Sequence, residues 1–152
     1  MASIATLAAP ISGQVVALGD IPDPVFSSGV MGKGCGVRPE GETVLAPLAG
    51  VVTAVTPTEH AVGITASDGT EILIHVGIDT VEMNGDGFAT LVGEGDRVEE
   101  GDPVIAFVRS KIKNAGHEDI VILVVPPTSS KHEVTVCASG SVSVGDALCQ
   151  VA

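Results

Sequence analysis

Two pairs of internal repeats constrain the fold of this chain more than any other feature. "APISGQVVAL" at residues 9–18 matches "APLAGVVTAV" at residues 46–55, with Ala, Pro, Gly, Val and Ala in register. "EGDRVEEGDPVIAF" at 94–107 resembles "ASGSVSVGDALCQV" at 138–151 through a shared V-x-x-G-D pattern. Gly-Asp pairs of this kind are typical of tight turns that precede strands. Two copies of each element therefore indicate a duplicated β unit rather than a long solenoid.

The composition supports a strand-rich fold. Apolar residues make up 45% of the 152 residues, Gly occurs 19 times, and the aromatic residues are three Phe. A chain of this length usually forms one domain, and its core has to be built from Val, Ile, Leu and Ala. We predict an all-β fold, an antiparallel β-sandwich or partly closed barrel with internal duplication, as a single domain over residues 1–152. Residues 1–8 are expected to be a flexible N-terminal segment, and only residues 109–116 have the pattern of a helical turn.

Charge and cysteine usage exclude several classes of partner. The net charge of −12 argues against nucleic acid and against an anionic membrane surface, since both need basic residues. No apolar run approaches the ~20 residues that span a bilayer, and "MASIATLAAP" lacks the basic start of a signal peptide. Three Cys without a C-x-x-C motif fit a reducing compartment. We expect a cytoplasmic protein without direct membrane insertion, with an acidic surface suited to cationic protein partners.

A histidine pair is the most informative chemical feature. Asp68-Gly69 is a strong signal for a two-residue hairpin turn between two strand-like runs. With that turn, Val62 faces His75 and His60 faces Gly77, so the two histidines project from the same face as diagonal neighbours. Gly77, which we interpret as a structural glycine, would then leave space between the rings for a bound group. A shift of one residue in the register would reverse this arrangement.

Two neighbouring imidazoles could bind a metal, relay a proton, or accept and shield a phosphoryl group, and the residues alone leave these alternatives open. His117 and His132 lack such a setting and are interpreted as surface residues. Cys35, Cys137 and Cys149 have no adjacent base, so packing is the better interpretation for them.

Four ordered motifs carry a family resemblance. They are "IPDPVF" at 21–26, "APLAG" at 46–50, "TEHA" at 58–61 and, most specifically, "HVGIDTVEMNGDGF" at 75–88. With these motifs the sequence resembles the glucose-type enzyme IIA family of the bacterial phosphoenolpyruvate:sugar phosphotransferase system, over residues 9–151. The resemblance implies a phosphotransferase component that works through a phosphohistidine. We expect no cofactor and no metal in the chain by itself, although some members of the family share a zinc ion between the two histidines and a partner's carboxylate.

The resemblance also implies roles for individual residues. His75 would take a phosphoryl group on Nε2 from the carrier protein HPr, His60 would steady the phosphoryl oxygens, and Thr58 would orient the His60 ring. The group would then pass to a cysteine on the IIB domain of a sugar permease. We expect a monomer, and some members of this family also bind regulatory protein targets.

Docking residues follow from the same resemblance. Four side chains fall where the family has an apolar docking rim, and two fall where acidic groups meet the partners' arginines; they are Phe26, Val30, Met31 and Val81, and Asp23 and Asp79. The chain departs from the family pattern at Met31, Thr56 and Glu59, and the last adds a negative charge beside the phosphoryl site.

Alternatives from other classes fit less well. A zinc peptidase of the LytM type could use the H-x-x-x-D spacing of His75 and Asp79, but it also needs an H-x-H pair, which the sequence lacks. A biotinyl or lipoyl carrier needs a lysine at a hairpin tip, and Lys111, Lys113 and Lys131 have no such context. "GVMGKGCG" at 29–36 has no Ser or Thr after its Lys and is not a P-loop.

Overall fold

A computed structural model describes residues 4–152, and most of its regular structure is β-strand. The strands within this range are β1 Ala5–Ala8, β2 Gly13–Ala17, β3 Lys33–Pro39, β4 Thr43–Leu45, β5 Gly50–Val55, β6 Ala61–Thr65, β7 Glu71–Val76, β8 Phe88–Thr90, β9 Arg97–Val98, β10 Pro103–Phe107, β11 Val121–Val125, β12 Val134–Val136, β13 Ser141–Val142 and β14 Ala147–Val151. The helices are α1 Pro24–Ser27 and α2 Arg109–Asn114, with 3₁₀ turns at Leu18–Asp20 and Thr80–Met83.

The strands form one large and two small sheets. The large sheet has the order β13-β2-β3-β11-β7-β6-β5-β9, and the small ones have the orders β1-β14-β12 and β4-β10-β8. The strand pairings that define these sheets are antiparallel. The predicted all-β, antiparallel fold is therefore confirmed. The large sheet ends at β13 on one side and at β9 on the other, so it does not close into a barrel.

The sheet topology reproduces the sequence repeats. The first repeat supplies β2 and β5, and the second repeat supplies their edge partners, β13 and β9. The end of the second repeat supplies β14 and β10, each the central strand of a small sheet. Each half of the duplication thus adds one edge to the large sheet and the central strand of one small sheet.

The main core lies between these sheets and is aliphatic. Its largest fully buried side chains include Leu7, Ile64, Ile74, Ile105, Leu123 and Leu148. Burying an aliphatic side chain of this size contributes roughly 1.5–3 kcal/mol, so Val, Ile and Leu can supply the core almost without aromatic residues. A second apolar cluster lies on the other side of β7 and β11; we call it the α1 cluster, and it contains Ile21, Phe26, Ile78, Ile120, Ile122 and Val124.

The chain start and the helices differ in part from the sequence predictions. Residues 5–8, which we expected to be flexible, form β1 and pair with β14, because Leu7 is fully buried there. Residues 1–3 lie outside the described residues. Helix α2 lies in the predicted segment, whereas α1 was not predicted. It begins at Pro24, after Asp23 caps it through a hydrogen bond from Val25 N–H to Oδ1 (3.0 Å).

None of the helices between residues 4 and 152 is long and apolar enough to cross a membrane.

Candidate functional site

His75 lies near the end of β7, in the middle of the large sheet. Alternation along β7 sends Ile72, Ile74 and Val76 into the main core and leaves His75 on the opposite face with Leu73. There the Phe26 ring packs against the imidazole, with 4.9 Å between the ring centroids and 56° between the ring planes. Through Phe26, the α1 cluster therefore packs against the His75 ring.

The hairpin that leads to β7 corrects our predicted register. Ala61, not Val62, is opposite His75, and Thr65 is opposite Glu71. The loop is one residue longer than predicted: the Ala66 N–H donates to the Thr70 carbonyl (2.8 Å), and Gly69 has φ 88°. A three-residue hairpin loop usually ends with a residue in the left-handed conformation, as this loop does at Gly69. The predicted two-residue turn is wrong, because the strength of the Asp-Gly signal does not define the loop length.

The two histidine rings are nevertheless in contact. Their centroids are 4.7 Å apart, and the ring planes make an angle of 85°. With Ala61 opposite His75, strict alternation would place the His60 side chain on the other face. His60, however, precedes β6 and follows Glu59, which has a left-handed backbone (φ 62°). The predicted proximity is confirmed, and it arises from this turn rather than from the hairpin register.

Threonine hydroxyls hold the His60 ring. Thr58 Oγ1 lies 2.7 Å from His60 Nδ1, and Thr56 Oγ1 lies 3.4 Å from the same atom. The Phe88 ring approaches from another side, with a centroid distance of 6.4 Å, and His60 is only 5% exposed. With Nδ1 occupied, Nε2 is the nitrogen that can contact a bound group. The sequence identified Thr58 but missed the contributions of Thr56 and Phe88, which depend on the tertiary fold.

Burial keeps both rings uncharged near neutral pH. It lowers the pKa of His75 to about 4, and the adjacent His60 lowers the same pKa further, while the Gly77 backbone and the Asp23 charge oppose the shift. Burial also lowers the pKa of His60, against the effect of the Thr58 backbone. A neutral imidazole has a lone pair available for nucleophilic attack.

The His75 ring has one buried and one accessible nitrogen. Nδ1 is buried, and among residues 4–152 no group has hydrogen-bonding geometry to it. The Gly77 backbone raises the pKa of His75, but it does not meet that geometry. Nε2, in contrast, is not one of the buried polar atoms that lack a hydrogen-bond partner. A reaction partner would therefore meet His75 at Nε2.

The predicted space beside Gly77 is absent, although Gly77 has the structural setting that we expected for it. It adopts φ 80°, and a Cβ added there would collide with Thr80 Cγ2 and lie 2.9 Å from the Glu118 carbonyl oxygen. The space beside Gly77 is thus filled by the turn that follows His75, and it is not a gap between the two rings. Thr80 fixes this turn by donating to the Val76 carbonyl at 2.6 Å. Gly77 is a structural glycine of the turn.

The predicted apolar rim divides into exposed and buried members. Val30 is 68% exposed, Val81 is 52% exposed and Met31 is 37% exposed, whereas Phe26 is only 4% exposed because it packs beneath His75. Val25, in α1 next to Phe26, is also exposed and was not predicted. We define the apolar rim as the exposed side chains of Val25, Val30, Met31 and Val81.

The two predicted acidic residues flank this region. Asp23 is partly buried and caps α1, and its charge favours protonation of His75. Asp79 is exposed, with a left-handed backbone (φ 58°), and precedes the 3₁₀ turn that carries Val81.

Other titratable groups lie outside the histidine pair. His117 Nε2 is 3.7 Å from Glu82 Oε2, and His132 is exposed. Lys111 pairs with Asp86 and Lys131 with Asp68, at 2.8 and 2.7 Å. Within the described part of the chain, no group of three or more His, Cys, Asp or Glu side chains is arranged to hold a metal ion.

Comparison with known proteins gives consistent matches. The family model for the phosphoenolpyruvate-dependent sugar phosphotransferase system, EIIA 1, matches residues 5–132. The chain is 44% identical over 139 residues to the PTS system beta-glucoside-specific EIIBCA component of Bacillus subtilis (strain 168), covering 91% of this chain and 23% of that protein. It is 39% identical over 138 residues to the PTS system glucose-specific EIIA component of Staphylococcus aureus (strain COL), covering 91% of this chain and 83% of the relative. Among solved structures it is similar to glucose permease IIA from Mycoplasma capricolum, with a TM-score of 0.89 at 28% identity, covering 98% of this chain and 96% of that one.

Proposed function

Because the chain belongs to the EIIA 1 family of the phosphoenolpyruvate-dependent sugar phosphotransferase system, we propose that it is a phosphocarrier. It accepts a phosphoryl group from phospho-HPr on His75 and passes it to the cysteine of a IIB domain, which couples phosphoenolpyruvate to sugar uptake. The observation that carries this proposal is the contact of two uncharged histidine rings, 4.7 Å apart, beside an exposed apolar rim.

Acceptance begins with the accessible nitrogen of His75. The Nε2 lone pair attacks phosphorus, the P–N bond to the HPr histidine breaks, and the HPr imidazole leaves with the electron pair of that bond. This attack requires a neutral ring whose single proton is on Nδ1, and the lowered pKa of His75 favours the neutral ring at neutral pH. In a loose phosphoryl-transfer transition state, positioning and charge stabilisation supply most of the catalysis.

His60 stabilises the transferred group. In the proposed tautomer the Thr58 hydroxyl donates to Nδ1 across 2.7 Å, and the Nε2–H of His60 then points its hydrogen at the phosphoryl oxygens. A donor that is already oriented needs no reorganisation during the reaction, so its contribution to the transition state is large. His60 is therefore a stabilising residue, and His75 is the nucleophile.

Discharge follows the same geometry in the opposite direction. The thiolate of the IIB cysteine attacks phosphorus in line, the bond between phosphorus and His75 Nε2 breaks, and the imidazole recovers its lone pair. The apolar rim excludes water while a partner is docked, which limits hydrolysis of the phosphohistidine. The net charge of −12 speeds encounter with cationic docking faces on both partners.

We propose that the protein acts as a cytoplasmic monomer and that the sugar is selected by the permease which supplies the IIB domain. Its relatives include a glucose-specific and a beta-glucoside-specific component, so an EIIA domain of this kind is compatible with different permeases.

Phosphoryl uptake from labelled phospho-HPr tests the proposal. The wild-type protein should acquire one acid-labile, alkali-stable phosphoryl group, and His75→Ala should acquire none. His132→Ala is the matched control, because His132 is an exposed histidine outside the pair, and it should label like the wild type. Normal labelling of His75→Ala would contradict the assignment, as would a wild-type protein that takes no label.

A further inference from the structure

Glu59 places a carboxylate between Thr58 and His60, next to a site proposed to hold an anionic group. The structure shows where this carboxylate goes. Its Oε1 accepts two hydrogen bonds from Thr90, one from the backbone N–H at 3.2 Å and one from the hydroxyl at 3.1 Å. A Cβ added to Gly85 would lie 3.8 Å from Oε2, so the carboxylate rests on the segment that leads into β8. Its charge is thereby anchored on β8.

The backbone of Glu59 needs such an anchor. Its φ of 62° lies in the left-handed region, which is unfavourable for residues other than Gly, Asn and Asp. The other non-glycine residues with positive φ between residues 4 and 152 are Asp79 and Asn84, whose short polar side chains tolerate this conformation. Glu59 has a long side chain instead, and it uses that length to reach Thr90.

The same contact acts on the histidine pair. Thr90 ends β8, and Phe88 at the start of β8 packs near the His60 ring. The bond from Glu59 to Thr90 therefore joins the turn at residues 56–60 to the strand that supports the His60 ring. The left-handed step at Glu59 is also what lets His60 leave the alternation of β6 and meet His75.

We propose that Glu59 is a positioning residue for His60: its carboxylate, hydrogen-bonded to Thr90, holds the left-handed turn that places the His60 ring against His75. The expected kinetic effect rests on the proposed phosphocarrier function, whereas the placement of the ring does not. Loss of the anchor loosens His60, and phosphoryl discharge to the IIB cysteine is the step that most needs this ring in place.

Two substitutions separate hydrogen bonding from charge and from backbone strain. Glu59→Gln removes the charge and keeps an Oε1 that can accept from Thr90. Glu59→Gly accepts a positive φ without strain and has no side chain to anchor. The measurements are single-turnover rates of uptake from phospho-HPr and of discharge to IIB, together with ¹⁵N chemical shifts of the His60 ring in the unphosphorylated protein.

Glu59→Gly should discharge about 10-fold more slowly than the wild type, which is less than the ~100-fold that a displacement of ~1 Å can cost. Glu59→Gln should stay within about twofold of the wild type. The His60 ¹⁵N shifts should move in the glycine variant and not in the glutamine variant. Wild-type discharge and unmoved shifts in Glu59→Gly would overturn the proposal. Equal slowing of both variants would also overturn it, because the charge would then be the active feature.

The ring measurement keeps this proposal separate from the proposed function. If the wild-type protein takes no phosphoryl group, the phosphocarrier function fails, and the ¹⁵N shifts still decide whether Glu59 positions His60. If the wild type labels normally and the shifts of both variants match the wild type, the positioning role alone fails.

Discussion

Acidification should weaken the fold through His75 more than through an ordinary histidine. The ring lies on the large sheet with Phe26 on one side and His60 on another. Burial and the neighbouring imidazole lower its pKa from 6.5 to about 4. His75 therefore binds a proton less readily in the folded protein than in the unfolded chain.

The sign and size of the effect follow from this difference. Between pH 6.5 and about 4 the unfolded chain holds a proton on His75 that the folded chain lacks, so the free energy of unfolding falls as the pH is lowered through this window. The contribution is fully present above pH 6.5 and is lost as the pH approaches 4. Since a pKa difference of one corresponds to ~1.4 kcal/mol, His75 should account for about 3 kcal/mol of lost stability.

Urea unfolding at pH values from 7 to 4 measures this loss, with His75→Gln as the control. Glutamine does not titrate, and the carboxylates that also titrate in this range are the same in both proteins. The wild type should lose about 3 kcal/mol more than the variant over the window. Parallel stability curves for the two proteins would contradict this prediction, because His75 would then have the same pKa in the folded and unfolded chains.

Three substitutions test other parts of the site. His60→Gln should still accept the phosphoryl group, while its discharge to IIB slows by about 10- to 1000-fold, the range for loss of one transition-state donor; lost labelling with normal discharge would reverse the two roles. Phe26→Ala should lower the free energy of unfolding by about 3–5 kcal/mol, because the ring is buried against His75; a loss below ~1 kcal/mol in urea would contradict that packing. Val81→Asp should keep stability within about 0.5 kcal/mol and slow transfer from HPr and to IIB alike; two unchanged rates would remove Val81 from the docking surface.

The architecture was predictable because it is encoded redundantly. The repeats at 9–18 and 46–55 became equivalent strands near opposite edges of the large sheet. The repeats, the Gly-Asp turns and the composition indicated a strand-rich fold from independent signals. The N-terminal strand β1 was missed, because its stability comes from pairing with β14 at the other end of the chain. A pairing of that kind has no local signature.

The sequence correctly predicted that the two histidines lie side by side, but the predicted hairpin register was wrong. A hairpin loop one residue longer than expected exchanges the faces of a strand, and here Ala61 replaced Val62 opposite His75. The rings meet because Glu59 adopts a left-handed backbone. No sequence rule predicts that conformation for a glutamate, since it depends on the two hydrogen-bond donors of Thr90 on β8.

The sequence also could not predict which apolar side chains around the site are exposed. An apolar residue in a short loop can lie on a docking surface or beneath it, and its identity is the same in both cases. Phe26 lies beneath the surface, whereas Val25 and Val30 are exposed. The difference arises because α1 turns its one aromatic side chain towards His75, an orientation set by the Asp23 cap and by the α1 cluster.

In the proposed mechanism His75 carries the phosphoryl group on Nε2. This assignment is tested most directly by long-range ¹H–¹⁵N spectra of the ¹⁵N-labelled protein before and after treatment with phospho-HPr, together with the ³¹P spectrum. We expect one new phosphohistidine signal, with the ¹⁵N shift of His75 Nε2 moved and His60 still unphosphorylated. Phosphorus on His75 Nδ1, on His60 or on any other residue would show that His75 Nε2 is not the acceptor atom.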